Sequence, residues 1–160
     1  MTQYRRGRAH LDRQEFAAAQ SSFREGLQEG DPKCAYGLLA VAAGSGEKLD
    51  AYWKGLEEAL PALEILAQNG DSDACFILGR CYETGSVFQQ DIHSAMKYYT
   101  KAAAAGNADA MYNLGCIYMG IGPGGVRIAL DYFQQAAEKG CSEAKAALQH
   151  YEQTQKQENG

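Results

Sequence analysis

A chain of 160 residues, 46% hydrophobic and 22% charged, can bury roughly 70% of its unfolded surface and needs no staple to fold, so disorder is not expected. Its formal net charge of −5 opposes binding to a phosphate backbone, and nucleic acid is not an expected partner. The longest apolar run, 35–43, falls far short of the roughly 20 residues a membrane-spanning helix needs, so no membrane association is expected.

In chain order, residues 1–30 form a first helix pair, in which Ala19, Phe23, Gly26 and Leu27 precede Gly30 at helical spacing. Residues 31–70 repeat those slots with Ala59, Leu63, Leu66 and Ala67 before Gly70. This unit is the longest, because Gly44-Ser45-Gly46-Glu47-Lys48 and the segment around Trp53 extend its internal turn. Residues 71–106 carry two clear blocks: Ala74-x-x-x-Leu78-Gly79-x-x-Tyr82, then Ala95-x-x-x-Tyr99-x-x-Ala102-Ala103-x-x-Gly106. Residues 107–140 restate both, as Ala110-x-x-x-Leu114-Gly115-x-x-Tyr118 and Ala129-x-x-x-Phe133-x-x-Ala136-Ala137-x-x-Gly140. A single helix over 142–153 closes the array, and the polar tail 154–160 is expected to fray. A repeat of this length, built from two helical blocks, is the sequence sign of an all-α helical solenoid.

Local physics supports each block. Ala74, Ile77, Leu78, Cys81 and Tyr82 fall on one side of a helix, the stripe that packs on a neighbour. Asp71, Ser72 and Asp73 supply an N-cap and first-turn acids. Gly85 breaks the helix, Asp91 opens the next, and Gly106 ends it as a C-cap glycine. Gly79 and Gly115 stand in mid-helix, where glycine costs about 1 kcal/mol relative to alanine; two in the same phase imply a close helix approach. The small Ala102, Ala103, Ala136 and Ala137 are expected to form the opposing surface.

These blocks resemble the Sel-one-like repeat, a relative of the tetratricopeptide repeat. The resemblance implies an alpha-alpha superhelix, a right-handed solenoid of helix-turn-helix units. Units three and four match nearly throughout, although the turn of unit three has Val87 and Phe88 where the family has Gly and Val. The turn of unit four, Gly120-Ile121-Gly122-Pro123-Gly124-Gly125, is shorter and lacks the family Asp. The first unit is closer to an ordinary tetratricopeptide repeat through Gly7, Ala19, Phe23 and Gly26, with Arg6 and His10 in place of its usual Leu and Tyr. The second is the weakest match, with Leu39 at the Gly position. A secreted branch of the family staples each repeat with cysteines eight residues apart; here Cys75 has Ala67 as its counterpart and position 111 is Met, so the staple is missing. Five cysteines without that spacing fit reduced, packed thiols.

No catalytic, cofactor or metal site is expected. Cys75 and Cys81 lack zinc-ligand spacing and have no neighbouring His, and His10, His93 and His150 lie far apart. Gly120-x-Gly122-x-x-Gly125 matches the dinucleotide fingerprint letter by letter, but that motif needs a preceding strand; a helix precedes it here, so it reads as a turn. Glu57-Glu58 and the Asp71/Asp73 pair suit a solvated face and a helix start better than acid–base work. The N-terminus lacks the apolar stretch of a signal peptide, and a cytoplasmic location is expected, although a chain trimmed of its signal would look the same.

A stack of helix pairs curves, and the first helix of each lines the concave side. Counting from the glycine phase, the position opposite the packing stripe holds Tyr4, Tyr36, Phe76 and Tyr112 in the four units. Arg8 and Arg80 share the next turn, and Glu83 and Met119 a later one. Aromatics and Arg are enriched at interface hot spots, so these residues form a candidate groove for a peptide or protein, with neighbouring acids steering a basic segment. The same rings also suit packing against adjacent helices, and both readings stand. The functional expectation is a non-enzymatic scaffold or adaptor with no small-molecule substrate. An immunity-like inhibitor of a toxin or effector is the alternative by resemblance, and an enzyme or an enzyme's regulatory subunit the alternative of another class.

Overall fold

The computed structural model describes residues 1–158, and among them are nine helices and no strand. They are α1 (Gln3–Asp12), α2 (Phe16–Gln28), α3 (Lys33–Ser45), α4 (Asp50–Gln68), α5 (Ser72–Thr84), α6 (Ile92–Ala104), α7 (Ala108–Gly120), α8 (Val126–Glu138) and α9 (Ser142–Glu158). Each helix packs against the one before and the one after, and α3 also touches α1 and α5. The result is an all-α helical repeat solenoid whose odd-numbered helices form an inner layer.

The turns between units are set by one short device. Gly70, Gly106 and Gly140 hold φ of 86°, 90° and 94°, the left-handed region that only glycine enters without strain. The N–H of the next residue reaches back five positions, Asp71 to the Leu66 carbonyl, Asn107 to Ala102 and Cys141 to Ala136, each at 3.0 Å. This is the Schellman closure. Gly30, with φ of 88°, closes the first unit in the same way, and at two of these turns the residue that closes one helix also opens the next. Asp71 accepts from the Ala74 N–H at 2.8 Å and Asn107 from the Ala110 N–H at 2.9 Å, so a unit boundary needs only three residues, 69–71 and 105–107.

Within units, the mid-helix glycines do make a close approach, but to aromatic rings and not to the alanines expected. A Cβ on Gly79 would lie 2.6 Å from the Tyr99 ring, and one on Gly115 would lie 2.5 Å from the Phe133 ring. In the first unit Phe23 fills the same role from both sides: a Cβ on Gly7 would fall 2.5 Å from it, and one on Gly37 would also overlap it. Tyr99 and Phe23 are wholly buried. The motif tyrosines add a second contact, Tyr82 stacking on Tyr98 at 5.7 Å and Tyr118 on Tyr132 at 5.8 Å.

Unit two departs from this plan. Leu39 occupies the glycine slot and Leu63 the ring slot, both buried, and α3 and α4 are the most loosely packed of the four pairs. Its extra length lies in α4, which has 19 residues where α6 and α8 have 13; Trp53 thus stands in a helix and not in a turn. Helix α9 continues to Glu158 and does not end at 153, because its Gln, Glu and Lys residues are good helix formers; residues 159–160 lie outside the described residues. The glycine-rich segment 120–125 joins α7 to α8 with no strand before it. Among the described residues, no helix is long and apolar enough to cross a membrane.

Two outcomes follow for stability. Gly115→Ala should lower stability by about 1–3 kcal/mol, the usual range for overpacking, and Phe133→Leu in the same chain should recover part of the loss. A double-mutant cycle by chemical denaturation measures this; additive effects would remove the ring-in-glycine contact as the cause. For Asp71, burial alone would raise the carboxyl, but the Ala74 N–H and the Lys33 ammonium outweigh it and hold the pKa below the usual carboxylate range. Its contribution is therefore complete above the unfolded value of about 3.9 and disappears as pH falls through the lower folded value. Asp71→Ala should cost about 1 kcal/mol at neutral pH, with the gap in Tm closing in strong acid.

Candidate partner-binding groove

Three of the four ladder aromatics rest on the core ring of their own unit. Tyr4 meets Phe23 at 5.9 Å between centroids, Phe76 meets Tyr99 at 6.0 Å, and Tyr112 meets Phe133 at 5.6 Å. Tyr4 and Phe76 are thereby buried, 1% and 6% exposed. The expectation that they project into an open groove is corrected for these two. The inner helices have neighbours on both flanks, so a position opposite one packing stripe is covered by the next helix. Tyr112 stays half-buried, and its phenol pKa is pushed up to about 12 by its hydrogen bond with Cys116 and by burial.

Tyr36 behaves differently, because its unit has Leu63 where the ring would be. It turns edge-on to Phe76 of the next unit, 6.4 Å away at 88°, and remains half-buried. Arg8 comes to the same place from α1, with its guanidinium carbon 5.8 Å from the Phe76 centroid. It then pairs with Asp109 of α7 at 2.5 Å. Arg80 donates to Glu83 at 2.9 Å, and the same Glu83 oxygen accepts from the Tyr99 hydroxyl at 2.6 Å. Met119 is half-buried against the core.

The structure thus brings Arg8, Tyr36 and Arg80 together, with the buried Tyr4 interacting with Arg8 from beneath, and sets Tyr112 and Met119 apart from the cleft lining. The first three, with Asp12, Asp109 and Asn113, line a cleft of about 260 Å³ floored by Phe76. Asp109 and Asn113 lie on α7 beside Tyr112; their sequence signal was position, since Asp109 repeats Asp73 in the phase of the third unit. A second hollow adjoins the cleft at Tyr36, Ala40 and Arg80 and is walled by Leu39, Trp53 and Leu56. Leu39 in a glycine slot and a tryptophan in the one long unit were its traces in the sequence.

The cysteines are free, and Cys34, Cys75, Cys81 and Cys141 are buried. Burial pushes the Cys34 thiol up to about 12 and that of Cys81 up to about 11, so neither is poised as a thiolate nucleophile. Cys75 donates weakly to the Ala67 carbonyl at 3.6 Å, which places it beside the position where the stapled branch carries the earlier cysteine of the pair. Cys116 is exposed. His10 pairs with Glu15 at 2.5 Å, and His93 and His150 are exposed on separate helices.

Comparison with known proteins agrees with this architecture. The family model described as Sel1 repeat matches residues 72–107 and 108–141, the span of α5 to α8 and their turns. The chain is 37% identical over 79 residues to DAP3-binding cell death enhancer 1 of Rattus norvegicus, and 40% identical over 62 residues to the protein of that name from Mus musculus. Those matches take 48% and 39% of this chain but only 16% and 12% of the two relatives. Among solved structures, a Sel1 repeat protein from Oxalobacter formigenes superposes with a TM-score of 0.56 at 24% identity, covering 91% of this chain and 60% of that one. The antigen c5321 of uropathogenic Escherichia coli, which displays an SLR fold, gives 0.55 at 27% identity over 81% of this chain and 28% of its own. Residues 72–141 thus carry two consecutive Sel1 repeats, set within a helical solenoid of the fold seen in solved Sel1-like repeat proteins.

Proposed function

We propose that this chain is a protein–protein interaction scaffold that holds a peptide or protein segment in the cleft between α1, α3, α5 and α7. The observation that carries the reading is the cleft itself. Four separate units contribute to it, through Arg8, Tyr36, Arg80 and Asp109, and it presents a half-buried aromatic and two guanidiniums, the side chains that dominate interface hot spots. Phe76 supports the site from below by fixing Tyr36 and Arg8 and is not itself a contact. A protein as the partner class is supported by the name of the Rattus norvegicus relative, which describes binding to another protein.

The test begins with selection of random dodecapeptides displayed on phage against the whole chain, followed by calorimetric titration of the selected peptides. The paired change Tyr36→Ala and Arg80→Ala should weaken binding by at least about tenfold, the loss of one hot-spot contact, with far-ultraviolet circular dichroism unchanged. Equal affinity for the variant would sink the groove. Replacing Phe76 is unsuited to this purpose, because its burial makes a change there a stability change.

A further inference from the structure

The hollow beside the cleft is an apolar chamber of about 310 Å³ between α3, the first half of α4 and the end of α5. It exists because unit two lacks the ring-in-glycine contact. Leu39 keeps α4 off α3, and the added turns of α4 carry Trp53 over the gap, so Leu39, Ala43, Leu49, Trp53, Leu56 and Cys81 become its walls. Among the described residues lining it, Arg80 alone carries charge, and Arg80 stands where the chamber opens into the cleft.

We propose that this chamber is an anchor pocket for one apolar side chain of the bound segment, and that Arg80 selects a carboxylate on a residue next to that anchor. The proposal rests on the cleft being the peptide site. Three observations carry it. First, the volume lies at the lower end of ligand pockets, about 300 Å³, and an apolar cavity of about 150 Å³ already holds a benzene ring, so a Leu, Met or Phe side chain enters with room to spare. An anchor seated in such a pocket, with water excluded around it, is the arrangement that concentrates binding energy.

Second, the rim hydroxyls are already committed. Thr84 gives its proton to the Arg80 carbonyl at 2.9 Å and so takes the proton of Ser86 at 2.7 Å. The guanidinium is left as the strong donor at the mouth. Third, Arg80 keeps donor capacity to spare, although Asp12 and Asp109 line the adjoining cleft. The one carboxylate on Arg80, Glu83, is shared with the Tyr99 hydroxyl, and the planar fork of a guanidinium engages further carboxylate oxygens. A Lys or Arg beside the anchor would face Arg80 at close range. The overall charge of −5 matters less, since exposed charges are screened beyond about 8 Å at physiological ionic strength.

Trp53 is the single tryptophan of the chain, so its fluorescence reports chamber occupancy without a label. The experiment titrates the phage-selected peptides into the intact protein and follows Trp53 emission. The selected sequences should share an apolar residue with Asp or Glu within two positions, and binding should shift the emission to the blue. Changing the apolar residue of the peptide to Ser should abolish the shift and weaken binding about tenfold or more. Changing its acid to Lys should weaken binding to the parent chain but not to Arg80→Gln. Ala43→Leu, at an exposed position on the chamber wall, fills the pocket without touching the core and should weaken binding as well. Peptides that bind with no emission shift and with equal affinity for Ala43→Leu would overturn the chamber while leaving the cleft standing. Selected sequences that are basic beside the anchor would overturn the role of Arg80. Failure to select any binder would overturn both the chamber and the cleft.

Discussion

An aromatic ring from the second helix of a unit lies where the first helix has no Cβ, and the rest of the structure is arranged around that contact. Tyr99 on Gly79, Phe133 on Gly115, and Phe23 between Gly7 and Gly37 bring helices closer than any other side chain would allow. Each mid-helix glycine weakens its helix by about 1 kcal/mol. Full burial of a ring of this size returns about 1.5–3 kcal/mol, so the exchange favours the packed pair. The same rings then act as the platform on which Tyr4, Phe76 and Tyr112 rest. A contact that sets helix spacing thus also decides which inner-face residues are covered.

Unit two shows what happens when the contact is missing. With leucines in both slots, the helices separate, Tyr36 loses its platform and turns to Phe76 of the next unit, and a hollow opens beneath Trp53. The features that make the inner face capable of recognition therefore gather at the least regular repeat. The two units that match the Sel1 model supply the rigid half of the cleft, through Phe76, Arg80 and Asp109. The irregular unit supplies its open, apolar half.

Much of the fold was legible because the repeat amplifies weak signals. One glycine in a helix says little; Gly79 and Gly115 in the same phase say that something must come close. What comes close was not legible, since Ala102 and Tyr99 lie on the same helix and the period alone does not rank them. Whether Tyr4 and Phe76 pack or project stayed open for a related reason: a helical wheel knows one helix, and the inner layer has neighbours on each flank. Arg8 and Arg80 could be paired by phase, but the partner of Arg8, 101 residues away, could not. Trp53 had no counterpart in other units, and a reading built on recurrence passes over what does not recur.

An array of repeats ordinarily interacts only between neighbours and can lose an end unit without disturbing the rest. Here α1 reaches past its neighbour, through Arg5 to Asp73 of α5 and through Arg8 to Asp109 of α7. The ribbon is in this sense buckled like a belt across its inner curve. Flattening the solenoid would draw Arg8 away from Asp109, so the curvature of the inner face is held by a clasp as well as by the stacking of its links.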